Sequence, residues 1–225
     1  MESKNFVLEK PGIILKFVEP QYLDDCLNNH FWFSSYGYFH KKENDDINDL
    51  NEGYDKYMGP VYVSSNLHGK WNLISSNTSV EFKVNNNYGI CSFVLLESDK
   101  DFRINEELTE LNRSINNYKN LLVFSLKKNT LTNLEKLEKE FEKSHKCHPK
   151  LIIIKNPNMF EITLIAQSVN QLWWGKINYH SFTESIDKNI VNINFEDEVP
   201  VLFKKDNKFS YQNEFRVVTP LKDKS

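Results

Sequence analysis

Apolar and polar residues along this chain come in short runs, and the period of each run points to the element it can form. "IILKFV" (13–18) is a compact, partly β-branched run and predicts a strand. After Pro20, "QYLDDCLNN" (21–29) sets Tyr22, Leu23, Cys26 and Leu27 on one side of a short helix. "HFWFSSYGYFHK" (30–41) is rich in aromatics and predicts a second strand. The acidic stretch 42–60 predicts a loop or weak helix that closes at Gly59 and Pro60. "VYVSS" (61–65), "SVEFKV" (79–84) and "GICSFVLLE" (89–97) predict strands, and the asparagines at 85–87 predict a hairpin between the last two.

The second half alternates helices with strands. Residues 101–118 predict a helix, and "NLLVFSL" (120–126) and "KLIIIK" (150–155) predict buried strands. Between them, "TLTNLEKLEKEFEKSHK" (130–146) carries Leu134, Leu137 and Phe141 as an apolar stripe, with Thr132 and Glu135 spaced as a capping box. Asn156 and Pro157 suit the N-cap and first position of a helix reaching about Val169. "WWGKINYHS" (173–181), "VPVLFKK" (199–205) and "FSYQNEFRVV" (209–218) predict the closing strands. Irregular mixing with hairpins, rather than a repeating strand–helix–strand order, predicts a single α+β domain over 1–225, on a twisted and mainly antiparallel sheet.

Composition narrows the function classes. The chain has 225 residues with 16 Phe and 10 Tyr, enough for a sizeable core. A net charge of −3 gives no electrostatic footprint for nucleic acid. Cys26, Cys91 and Cys147 are irregularly spaced without a CxxC pair, which predicts reduced thiols in a cytoplasmic protein. No apolar run approaches the roughly 18 residues of a membrane span, so no membrane partner is expected. The N-terminus also lacks the apolar core of a signal peptide.

Motifs with known mechanics are scarce. The phosphate loops GxxxxGK[ST] and GxGxxG and the GxSxG elbow are all missing. His145, Cys147 and His148 cluster in "HKCHP" without partners elsewhere, so no metal is expected there. "DDINDLNEG" (45–53) is rich in oxygen ligands, but its glycine falls one place early for a calcium loop. What stands out is the last strand. Strand alternation would put Phe209, Tyr211, Phe215 and Val217 on a core face and Ser210, Gln212, Glu214 and Arg216 on the other. That polar row is either wet or lines a site.

The order of "ILKFVEP", "YLDDCLNN", "FWFSSYGYFHK", "NDLNEG", "VFSLKKNTL", "LIIIKNPNMF" and "FKKDNKFSYQNEFRVV" resembles a group of uncharacterised bacterial and prophage proteins. It also looks like the motif order of an ADP-ribosyltransferase fold: a basic residue on the first strand, serines on the next, and a late Q-x-E strand. The resemblance implies NAD as substrate, a protein or nucleic-acid acceptor, and a setting of conflict between phage and host. Transferred residue by residue, it puts Glu214 and Gln212 in catalysis, and Lys16, Ser34, Ser35, Tyr36 and Arg216 at the cofactor. Lys16 stands where that family carries Arg or His. A carboxylate is apt because nicotinamide loss passes through an oxocarbenium-like state, as glycoside cleavage does. The alternative is a catalytically inactive relative that binds a protein or a nucleotide.

Overall fold

The computed structural model describes residues 12–37, 54–64, 71–84, 87–116, 122–168, 171–180 and 199–221. These residues form a mixed α+β structure. Contacts divide it into two compact units, one holding the described residues up to Trp32 with Cys91–Lys176 and Tyr211–Val217, the other holding Phe33–Ile90, Ile177–Ser210 and the residues from Val218 on.

The first unit is built around a sheet. Its strands are β1 (Gly12–Val18), β5 (Tyr88–Glu97, of which Cys91–Glu97 lie in this unit), β8 (Lys150–Ile154), β9 (Trp173–Lys176) and β12 (Glu214–Pro220, of which Glu214–Val217 lie in this unit), in the order β8–β1–β5–β12–β9. β1 pairs antiparallel with β8 from Ile14↔Ile154 to Val18↔Lys150, and with β5 from Gly12↔Glu97 to Leu15↔Val94. β5 and β12 are central and buried on both faces: β5 is largely apolar on each side, and β12 sets Phe215 and Val217 on one face and the buried Glu214 and Arg216 on the other. On one face, Val18, Ile152 and Cys26 of helix α1 (Leu23–Leu27) pack together. Phe31, Phe93 and Phe160 add a cluster of edge-on rings with centroids 5.3–5.6 Å apart, and Phe215 joins at 6.5 Å from Phe93. The opposite face carries Leu15, Val94 and Leu96 under Leu134 and Leu137.

The helices follow their caps. Helix α5 (Pro157–Gln167) starts as its sequence predicts: the Asn156 side chain accepts a hydrogen bond from the Met159 amide at 3.1 Å, and Pro157 opens the first turn. Helix α4 (Lys128–His145) begins before the expected capping box, so Thr132 is an exposed interior residue. Thr130 is the residue tied down, donating its hydroxyl to Asp101 at 3.0 Å, while Asp101 also accepts the Glu97 amide at 2.8 Å. That side-chain anchor outcompetes the local box. The apolar stripe of α4 packs as expected, with Phe141 6.3 Å from Phe17.

Several expectations are corrected. Residues 101–118 divide into the end of a short helix α2 (Ser98–Asp101), strand β6 (Phe102–Ile104) and helix α3 (Glu106–Asn116). β7 is only Phe124–Leu126, paired with β6, and Phe124 is exposed rather than buried. β8 is an edge strand: Ile152 is buried, whereas Leu151 and Ile153 face outward. The 173–181 strand divides at Ile177 into β9 and β10 (Asn178–His180).

Of the strand expected at 30–41, the described residues form only Ser34–Ser35, the short strand β2, which pairs with Gly89 and Ile90 in the second unit. The strand expected at 61–65 is observed but starts earlier: residues 54–60, expected as loop or weak helix, belong to the same strand β3 (Tyr54–Ser64), which pairs with β4 (Trp71–Lys83). Gly59 and Pro60 sit at the register shift in that ladder, where a residue without an N–H is tolerated. The expected hairpin between 79–84 and 89–97 does not form, since β4 pairs with β3 and β5 enters the large sheet. Residues 199–205 begin as a 3-10 turn (Val199–Phe203), and β11 (Lys204–Asp206) runs parallel to β10. The acidic motif at 45–53 lies outside the described residues.

Leu137→Ala is expected to lower unfolding free energy by about 2 kcal/mol, the low end for core truncations because Leu137 is only half-buried. Urea denaturation checks this, and an unchanged midpoint would mean that α4 does not cover the sheet.

Candidate functional site

The stretch that looked like one strand is two elements joined by a kink. Residues Asn207–Gln212 form a 3-10 helix, and β12 starts only at Glu214. Asn213 between them has φ 44°, in the left-handed region that asparagine tolerates better than other side-chain-bearing residues. Its side chain donates to the Leu95 carbonyl, its own carbonyl accepts the Leu95 amide at 2.9 Å, and Lys100 donates to its side-chain oxygen at 3.1 Å. Gln212 therefore does not share a strand face with Glu214. Tyr211, expected in the core, is half-buried; it donates to Glu140 at 2.7 Å and carries the Lys136 ammonium 3.4 Å above its ring. Burial, and then the Glu140 carboxylate, push its phenol well above the ordinary range.

Glu214 is neither wet nor aimed into an open cleft: it is 7% exposed and Arg216 only 1%. Residues two apart on a strand share a face, and here they pair directly. Arg216 Nε donates to Glu214 Oε1 at 2.5 Å and Nη2 to Oε2 at 3.2 Å. Ser92 Oγ, from neighbouring β5, donates to the same Oε1 at 2.6 Å. Both carboxylate oxygens are thus occupied by protein donors. Phe215 and Val217 point to the other face and are buried, so β12 is enclosed on both sides.

Lys16 lies across the sheet from this pair. Its Nζ donates to the Ser92 carbonyl at 3.0 Å and sits 4.7 Å from the Phe93 ring centroid, just beyond the last β1–β5 pair at Leu15 and Val94. Phe93 and Ser92 project to opposite faces. The Lys16 ammonium belongs to Phe93's face and the Glu214 carboxylate to that of the Ser92 hydroxyl. Near Lys16, burial raises the thiols of Cys91 and Cys26, and the ammonium opposes both shifts. Ser34 and Ser35 are half-buried in the second unit, and Tyr36 there is fully enclosed at 0% exposure. The structure brings together Glu214 and Arg216 from the expected set and adds Ser92. No sequence motif marks Ser92; only the register of β5 beside β12 selects it.

Two other groups have chemical potential. Of the "HKCHP" residues, His148 approaches a pair of glutamates on α4. One nitrogen bonds Glu142 and the other lies 3.6 Å from Glu138, and three ligand atoms of this group fall within 4.8 Å of one another. His145 instead stacks on Phe141 at 4.0 Å. The signal for this grouping was the i,i+4 spacing of Glu138 and Glu142 on a helix. The second group is Glu161 on α5, 8% exposed, which faces Trp174 of β9. Burial holds its carboxyl above the ordinary range, and the indole N–H moderates the shift although the approach falls short of hydrogen-bond geometry.

Comparison with protein-family models, curated proteins and solved structures finds no match. No helix among the described residues is long and apolar enough to cross a membrane.

Two outcomes follow from these geometries. Arg216→Met leaves a buried carboxylate without its cation and is expected to destabilise by about 3–5 kcal/mol, whereas replacing Glu214 and Arg216 together by Leu and Met costs far less. A double-mutant cycle in urea measures the difference, and additive single effects would contradict the pairing. For Glu161 the folded-state pKa is raised above the 4.5 of a free side chain. The stabilisation from its bound proton is therefore full below the unfolded pKa and is lost as pH rises through the folded pKa. Glu161→Gln is expected to flatten that decline and raise the melting midpoint at neutral pH relative to wild type. An unchanged pH–stability profile would show that Glu161 is solvated.

Proposed function

We propose that this chain acts by binding a partner protein rather than by chemistry on NAD. The observation that carries this reading is the state of Glu214. A carboxylate that stabilises an oxocarbenium ion must present an oxygen to the ribose, and both Glu214 oxygens are held by Arg216 and Ser92 within the sheet. The placement of Lys16 on the other face, and of Gln212 outside the strand, supports the same reading.

The partner surface is centred on Trp32. Phe31 is seated between Phe93 and Phe160, with ring centroids 5.6 Å from each, which fixes the backbone and leaves the next side chain pointing outward. Trp32 is 82% exposed, close in sequence to exposed Leu27 and Tyr22 of the preceding helical segment. A large aromatic held out on a rigid base loses little conformational freedom on contact, which is why Trp and Tyr dominate binding hot spots.

The test has two arms. Calorimetry with NAD, and nicotinamide release in cell extract, are expected to be silent for the wild-type protein. Trp32→Ala is expected to abolish partner capture while leaving the melting midpoint unchanged. Nicotinamide release that Glu214→Gln removes without loss of stability would overturn this reading in favour of an ADP-ribosyltransferase or NAD glycohydrolase.

A further inference from the structure

The turn after α4 folds the chain back onto that helix. Lys146 takes a left-handed step at φ 55°, and its amide donates to the Glu142 carbonyl at 2.8 Å. His148, two residues on, is thereby brought against Glu138 and Glu142, which lie one turn apart on one side of the helix. The "HKCHP" segment has no ligand partners in its own neighbourhood, and α4 supplies two. Nδ1 of His148 bonds the Glu142 carboxylate. Nε2 lies 3.6 Å from Glu138 Oε1, too far for a hydrogen bond. His145 is engaged elsewhere: it stacks on Phe141 at 4.0 Å, with Nδ1 against the Ser144 hydroxyl and the Phe141 carbonyl.

We propose that His148 and Glu138 hold a divalent cation of the zinc class, with Glu142 orienting the imidazole. Zinc sits about 2.0–2.1 Å from an imidazole nitrogen and about 2.0–2.2 Å from a carboxylate oxygen. Two such ligand atoms 3.6 Å apart subtend an angle of about 120° at the metal, within reach of tetrahedral geometry. A ligating histidine donates its other ring N–H to a carboxylate, carbonyl or water, which fixes the tautomer and raises the basicity of the ligating nitrogen. Glu142 is placed to do this at Nδ1. The mixed nitrogen and oxygen donors suit zinc rather than calcium or magnesium, which take oxygen ligands. A ligating imidazole is neutral, so the two carboxylates leave the group doubly negative, a charge that a dication compensates. Side chains 40%, 41% and 70% exposed give the ion an open path and leave room for water at the remaining coordination positions.

Titration calorimetry of the full chain with zinc chloride tests this. One zinc per chain is expected to bind with micromolar affinity, and calcium and magnesium are expected not to bind at matching concentrations. Zinc is also expected to raise the melting midpoint, because it ties α4 to the turn before β8 and so favours the folded chain. Glu138→Gln and His148→Ala are expected to weaken zinc binding at least about tenfold, with the zinc-free melting midpoint unchanged because exposed ion pairs contribute little. Glu142→Gln can still accept the Nδ1 proton and is expected to stay within about threefold of wild type, whereas Glu142→Ala loses about ten- to a hundredfold. Cys147→Ser and His145→Ala are expected to bind zinc as the wild type does. A wild type without saturable zinc binding below millimolar concentration, or binding unchanged in Glu138→Gln or His148→Ala, overturns the proposal. Loss of binding in Cys147→Ser overturns the ligand set, calcium bound as tightly as zinc overturns the choice of metal, and a Glu142→Gln loss as deep as that of Glu138→Gln overturns the orienting role of Glu142.

Discussion

The ion pair of Glu214 and Arg216 is the constraint around which the first unit is arranged. Enclosing two charges costs several kcal/mol per ion, and their attraction offsets that only when the remaining lone pairs and N–H groups find partners. Ser92 is one such partner, and it can serve only if β5 lies beside β12 in one register. A one-residue slip of β5 would turn Ser92 to the opposite face and bring Phe93 or Cys91 against the carboxylate.

Asn213 decides what that strand can present. Held to Leu95 and Lys100, it turns the chain through a left-handed step. The residues before it coil as a 3-10 helix that leans on α4 through Tyr211 and Glu140, and those after it enter the sheet. A Q-x-E triplet therefore does not become a matched pair of side chains. Gln212 and Glu214 are close in sequence but belong to elements with different neighbours.

Two exposed apolar groups share one feature: each adjoins a residue held by the fold. Phe31 anchors Trp32, and Thr109 anchors the helix that carries Leu108, Leu111 and Ile115. Rigid presentation of this kind lowers the entropy lost on association.

Much was legible from local pattern. The 13–18 strand, the 21–29 helical segment, the stripe of Leu134, Leu137 and Phe141, and the Asn156–Pro157 helix start all depend on neighbours within a few residues, where spacing and capping chemistry dominate. The burial of Phe215 and Val217 was legible for the same reason, whereas Phe209 is buried from a 3-10 helix and not from a strand face. What the tertiary structure alone decided were pairings between distant residues. The asparagines at 85–87 are compatible with a hairpin, but β5 is apolar on both faces and was claimed by β1 and β12. Thr132 and Glu135 have the spacing of a capping box, but Asp101 holds Thr130 and starts the helix earlier. Glu214 and Arg216 read equally well as a wet face or a site. Their burial depends on β5 supplying Ser92 at a separation of 122 residues, and no local window contains that information.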